Sequence, residues 1–223
     1  MKTITLTLLC LGILALACGP LAAQDVKLSP QVAVHQRSLI VQDADAPPAG
    51  LVKLFSNLGP KGDTYDDTQG YLVEGPTNPV TGDYQWIADP FTAKKNSTVT
   101  EIEIALAYQG DGTNNAEVAL YSDVKGLPGK ALESWNVKNL PAADTCCKLV
   151  KVTSKKGIKI KKGKQYWVLG LTDKASTTAY DGWDFVYNDA VGPIAFIGTA
   201  TNGVWTSYTA GPTQAFAVYG TTP

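Results

Sequence analysis

This 223-residue chain is short of the residues that do most enzymatic proton transfer and metal binding: it has one histidine, His35, and one methionine, Met1. A Ser/His/Asp or Cys/His arrangement would have to borrow an uncommon base, and a His-rich zinc site is excluded. Cysteine is scarce, with four in the chain, and only Cys146 and Cys147 lie beyond the first eighteen residues. Neighbours in sequence lack the two-residue spacer of a thioredoxin-like Cys-x-x-Cys motif and cannot alone supply a four-ligand zinc site. After the first segment no apolar run approaches the roughly 20 residues of a membrane helix. A basic excess is also lacking, with 19 Lys+Arg against 20 Asp+Glu. Nothing in that balance drives general binding to nucleic acid, which rests on neutralising phosphates.

What is present begins with an address. Lys2 precedes an apolar run from Ile4 to Ala17, broken only by Thr5, Thr7 and Gly12. Gly19-Pro20 and Leu21-Ala22-Ala23 follow, before Gln24-Asp25. A short positive end, an apolar centre and small residues at the cut describe a secretory signal peptide over residues 1–23. Cleavage before Cys18, giving a lipoprotein, and retention in the periplasm are the alternatives; Leu16 sits where a lipoprotein box prefers a small residue. Removing residues 1–23 takes away Lys2 and no acid, so the mature charge is about −2 by difference.

Residues 24–50 read as a flexible tail and linker, because Asp45-Ala46-Pro47-Pro48-Ala49-Gly50 removes backbone donors and holds the chain extended. Within it, Val32 to Val41 either adds an edge strand or stays loose. From Leu51 to Pro223 the pattern is strand after strand. Val99 to Tyr108 alternates, with Thr100, Ile102, Ile104, Leu106 and Tyr108 on the parity expected to face a core. With Ala116 to Tyr121, beyond the Gly110 to Asn115 loop, it reads as a long-looped hairpin. Ile158 and Ile160 share one face and Lys159 and Lys161 the other, which predicts a half-buried strand with a solvated basic side that discourages edge pairing; a polyanion site is the alternative. Gln165–Leu171, Trp183–Tyr187, Pro193–Ile197, Val204–Tyr208 and Gln214–Tyr219 complete the set. Many short strands, frequent glycine turns and no helical stripe predict an all-β fold, a two-sheet antiparallel β-sandwich with jelly-roll-like connections.

Three stretches carry a family likeness: Tyr121-Ser122-Asp123-Val124-Lys125-Gly126-Leu127-Pro128-Gly129, then Gly163-Lys164-Gln165-Tyr166-Trp167-Val168-Leu169-Gly170, then Ala215-Phe216-Ala217-Val218-Tyr219-Gly220. With Cys146-Cys147 between the first two, the chain from about Leu51 to Gly220 resembles the choice-of-anchor R type domain and related β-sandwich modules of secreted bacterial proteins. The resemblance implies a fold and an exterior address, not a reaction. Such modules are commonly followed by a C-terminal sorting segment. Here Thr221-Thr222-Pro223 follows the last strand directly, so release from the cell is the expectation. An oxidising compartment leaves three states for Cys146 and Cys147: a vicinal disulfide, two reduced thiols, or pairing with another chain. The resemblance favours the first.

Acids, oxygen donors and aromatics supply the candidate chemistry. Glycosidases hold two acids across a cleft at roughly 5 to 10 Å; Asp66, Asp67, Asp181 and Asp184 are available, but their spacing selects no pair. Asp111, Asn114 and Asn115 are hard oxygen donors of the kind calcium takes, but turn formation explains the same residues more cheaply, so no cofactor is expected and calcium is the alternative. Aromatics with polar companions carry most weight: Tyr180, Trp183, Trp205 and Tyr208, with Asp184 beside them. Flat rings flanked by hydrogen-bonding groups hold sugars by their C–H faces and hydroxyls, and Gly182 and Gly203 predict exposed loop edges for Trp183 and Trp205. Asn96-Ser97-Thr98 fits the glycosylation triplet and is taken as a turn. The function expected is a secreted, non-enzymatic module with a binding or structural role, the most concrete partner being a polysaccharide or extracellular matrix. A purely structural exoprotein and a glycan-active hydrolase are the alternatives.

Overall fold

A computed structural model describes residues 32–34, 49–173 and 175–223. The expected signal peptide, the lipoprotein alternative at Cys18, His35 and most of the expected tail lie outside these residues. Among the described residues, fourteen strands form two antiparallel sheets. The four-stranded sheet runs in the order β2 (Val52–Ser56), β14 (Phe216–Thr221), β5 (Ser97–Ile104), β9 (Val150–Ile160). The ten-stranded sheet follows the path β6 (Leu106–Asp111), β11 (Tyr180–Phe185), β3 (Asp66–Glu74), β4 (Gln85–Thr92), β10 (Gln165–Leu171), β7 (Asn115–Val124), β8 (Leu127–Lys138). Off this path, β1 (Val32–Val34) pairs with β3, and β12 (Val191–Gly198) bridges β4 and β13 (Thr206–Pro212). The two sheets pack together as the expected sandwich, with Val73, Ile87, Phe91, Val118, Leu120, Val168 and Trp183 of one facing Val99, Ile102, Ile104, Phe216 and Val218 of the other.

Three local features correct the strand reading. Against β14, Gly220 pairs with Val99 but Tyr219 with Glu101, which leaves Thr100 as an extra residue. A bulge of this kind resets the side-chain alternation, so Val99 joins Ile102 and Ile104 in the core, all fully buried, instead of standing on the opposite face. Ala105 then carries the chain from one sheet to the other: its N–H donates to the Ala215 carbonyl at 3.1 Å, and its carbonyl accepts from the Asp184 N–H at 2.9 Å. The expected Val99–Tyr108 strand is therefore two strands in different sheets. The expected hairpin with Ala116–Tyr121 does not form, because β6 pairs with β11 while β7 pairs with β10 and β8. A further strand, β3, escaped the sequence reading; its first half, Asp66-Asp67-Thr68-Gln69-Gly70, is polar and interrupted by glycine. A side chain at Gly70 would collide with the backbone of Trp183 and Asp184, so the close passage of β11 requires glycine there.

Other readings hold. The β7–β8 hairpin turns on Lys125 (φ 56°) and Gly126 (φ 80°), the paired left-handed conformations of a tight two-residue hairpin, and Asp123 Oδ2 accepts the Gly126 N–H at 3.2 Å. Ile158 and Ile160 are buried while Lys159 and Lys161 are exposed. Asn96 stands just before β5, its Oδ1 accepting the Lys162 N–H at 2.9 Å, while Ser97 and Thr98, taken as part of a turn, open the strand itself. Cys146 and Cys147 are joined as a vicinal disulfide, and both are buried. Tyr65 packs in the same core, its hydroxyl donating to the carbonyls of Thr145 and Lys148 on either side of the pair at 3.4 Å.

Candidate binding surface

Register alone shows what the outer side of the ten-stranded sheet carries. Reading across the strands, Ser207 of β13 faces Ala195 of β12, which faces Ala88 of β4, then Leu169 of β10, Ala119 of β7 and Ser134 of β8. This transverse row of mostly small residues lies on the face opposite Ile87, Val168 and Val118, since successive side chains in a strand alternate sides. Along one flank stands Trp86, opposite Ile197. Along the other, Trp167 lies between Pro90 and Tyr121. The small residues leave space that the rings fill: Ala88, Ala119, Trp167, Leu169, Leu171 and Ala195 form a second buried apolar cluster, and Trp86, Tyr121, Leu127 and Trp205 pack on it half-buried. A sandwich face that looks away from the core is ordinarily polar; this one is aromatic.

The rings are held by hydrogen bonds and by the loop before β13. Trp86 Nε1 donates to Thr172 Oγ1 at 2.9 Å, and Trp167 Nε1 donates to Asp123 Oδ1 at 2.9 Å, an oxygen that also accepts from Gln165 Nε2 at 2.9 Å. Tyr84 meets Trp86 edge-on, with centroids 5.7 Å apart. The loop that presents Trp205 is fastened to Tyr84 twice, through Thr199 N–H to the Tyr84 carbonyl at 3.0 Å and Tyr84 N–H to Thr199 Oγ1 at 3.1 Å. Only glycine fits at Gly198, where a Cβ would run into the Tyr84 carbonyl. Burial and the nearby Glu117 raise the Tyr121 phenol above its ordinary pKa, so it stays neutral and can donate or accept.

The residues singled out from sequence are dispersed. Trp183 is a correction: it is fully buried, its Nε1 donates to the Ala215 carbonyl at 3.1 Å, and its ring meets Phe216 edge-on at 6.0 Å. Gly182 is inside β11 rather than at a loop edge, and alternation sends Trp183 inward with Phe185. Asp184 is buried as well. Tyr208 stacks on Phe196 at 5.2 Å on the core side, while Tyr180 opens β11 opposite Glu74. Trp205 alone of the five reaches the aromatic face. The calcium donors also part company: Asp111 is exposed at the end of β6, and Asn115 pairs with Lys138. Asn114 spends its side chain on Leu140, accepting its N–H at 2.6 Å and donating to its carbonyl at 3.3 Å. Trp86 and Tyr121 were not singled out from sequence. The available signal was apolar residues on both parities of β4 and β10, with a small or aliphatic residue two positions from each ring.

Several acids face the interior. Asp89 is buried among core residues of β4 and accepts the Gln214 N–H at 2.8 Å where the chain leaves β13 for β14; burial raises its pKa well above the carboxylate range. Asp181 is fully buried with no hydrogen-bond partner on either oxygen among the described residues, and burial pushes its pKa up to about 8. Asp67 and Asp184 are buried too, and Asp66 accepts from the N–H and hydroxyl of Thr68. Among the described residues no helix is long and apolar enough to cross a membrane. No family model, curated protein or solved structure matches this chain.

Proposed function

We propose that the protein is a non-catalytic binding module of the cell exterior, and that the outer face of its ten-stranded sheet docks a polysaccharide. One observation carries this reading: the Ser207–Ala195–Ala88–Leu169–Ala119–Ser134 row that seats Trp86, Trp205 and Tyr121, partly covered, on the side of the sheet facing away from the core. Aromatic rings offer the C–H face of a sugar a flat apolar partner, and Ser134, Ser207 and the neutral Tyr121 hydroxyl supply groups for its hydroxyls. The leader-like residues 1–23 support the exterior address.

The test is retention of the mature chain on a panel of insoluble polysaccharides, with Trp86→Ala and Trp205→Ala variants shown to be folded by thermal unfolding. Partly exposed aromatic anchors are worth about 1–2 kcal/mol on truncation, so each variant should lose roughly tenfold in affinity. Retention of every polymer unchanged in both variants rejects the face as the platform and leaves a structural exoprotein.

A further inference from the structure

A second surface stands apart from the aromatic face, at the end of the sandwich where β2 and β5 begin and β4, β9 and β14 finish. An open cleft of about 220 Å3 lies there between the two sheets. Leu54, Ala93 and Ile160 give it an apolar floor, and the exposed Lys53, Lys94 and Lys95 stand around it. The sequence hides this grouping, because Lys53 is more than forty residues from the other two. A second lysine turn is bolted alongside: Ala93 N–H donates to the Lys164 carbonyl at 3.0 Å, Gly163 N–H to the Ala93 carbonyl at 2.8 Å, and Lys162 N–H to Asn96 Oδ1 at 2.9 Å. Lys161, Lys162 and Lys164, all exposed, thereby add to the same end. Among the described residues, no acid lines the cleft. A chain with nearly equal totals of basic and acidic residues thus concentrates positive charge at one end.

The geometry points to this cleft as a site for a uronate, the carboxylated sugar unit of an acidic polysaccharide. Its volume is below the roughly 300–1,000 Å3 of sites for drug-sized ligands, so it takes one small unit of a longer polymer. The apolar floor suits the C–H face of a ring, and the ammonium groups, compact point charges that carry no planar fork, suit a carboxylate at its edge. Duplex nucleic acid would need basic residues spread along a path that tracks the phosphates, whereas these are gathered around one cleft. This inference rests on the polysaccharide reading for its class of ligand, but it uses different residues.

The probe is soluble polygalacturonate, compared with a neutral glucan, duplex DNA and phosphatidylserine vesicles. The chain carrying Lys53→Gln, Lys94→Gln and Lys95→Gln together keeps its fold, checked by thermal unfolding, because all three side chains are exposed. Polygalacturonate affinity should fall at least tenfold in that variant and should weaken similarly for the wild type between 50 and 500 mM NaCl, while neutral-glucan binding stays put. Polygalacturonate binding that depends on the lysines but not on Trp86 and Trp205 would sustain this site, and the outer-face reading falls separately, if neutral-glucan binding is also unchanged in the Trp86 and Trp205 variants. Undiminished polygalacturonate binding in the triple variant overturns the site. So does tighter wild-type binding to DNA or to the vesicles than to polygalacturonate.

Discussion

The two outer faces of the sandwich solve the same problem in opposite ways. On the four-stranded sheet, the outward positions are charged: Lys151 Nζ sits 3.0 Å from Glu101 and 3.2 Å from Glu103, with Thr153 and Lys159 exposed on the same strand. On the ten-stranded sheet the outward positions are alanines, leucines and indoles that bury one another. Charge on a face keeps it solvated and discourages association, whereas half-buried aromatics leave apolar area at the surface, which marks contact sites. The lesson is that the asymmetry of surface chemistry lies between the faces of the two sheets, and not along the chain where single residues first attract notice.

The largest expected effect separates core from face. Trp183→Ala removes a fully buried indole and its hydrogen bond to Ala215, and should cost about 3–5 kcal/mol, read as the midpoint shift in urea unfolding. Trp205→Ala, by the same measurement, should cost well under half as much while weakening polysaccharide retention. Equal losses of stability would erase the distinction drawn here between the two tryptophans.

Next comes the alanine row. Ala88→Leu would push against Trp86 and Trp167 and should cost about 1–3 kcal/mol through overpacking. The matching change on the opposite face, Thr153→Leu, puts the same side chain on an open, charged surface and should be nearly neutral in the same unfolding assay. If both are neutral, the row does not seat the rings.

The interior acid gives a pH test. Asp181 holds its proton in the fold up to about pH 8, while the same carboxyl in the unfolded chain ionises near pH 4. Between those values the unfolded state binds fewer protons, so stability falls as pH rises, and above about pH 8 this contribution levels off. Thermal midpoints measured from pH 4 to 9 should show this decline, and Asp181→Asn should flatten it. A decline of the same slope in the variant assigns it to another group, with Asp89 the first to try, since burial raises it in the same direction.

The smallest effect belongs to the charged face. Lys151→Ala exposes Glu101 and Glu103 to each other and should cost under about 1 kcal/mol, shrinking further in salt, as partly exposed ion pairs do.

Much of the fold was legible because β10, β14 and the Ile158/Ile160 pair announce themselves by apolar runs or clean alternation. What was hidden has physical causes. The bulge at Thr100 and the crossing at Ala105 depend on partners in or beside β14 and β11, far away in sequence. The polar start of β3 disguises a central strand. For the surface, Trp205 was legible from its glycine neighbour, but the same rule failed for Trp183, since a glycine inside a strand serves close packing and not exposure. Trp86 and Tyr121 gain meaning only once register sets alanines from three separate strands in a line. The lysine cleft was invisible for the same reason: Lys53, Lys94 and Lys95 meet only after β2 and the β4–β5 turn are brought together.

The adjacency of β2 and β14 has a practical corollary for engineering. Gly220 lies directly opposite Val52, and Val52 and Thr222 both border the lysine cleft. A purification handle or reporter fused behind Pro223 would emerge at the cleft mouth and shade it, so ligand assays call for a cleavable or internal label.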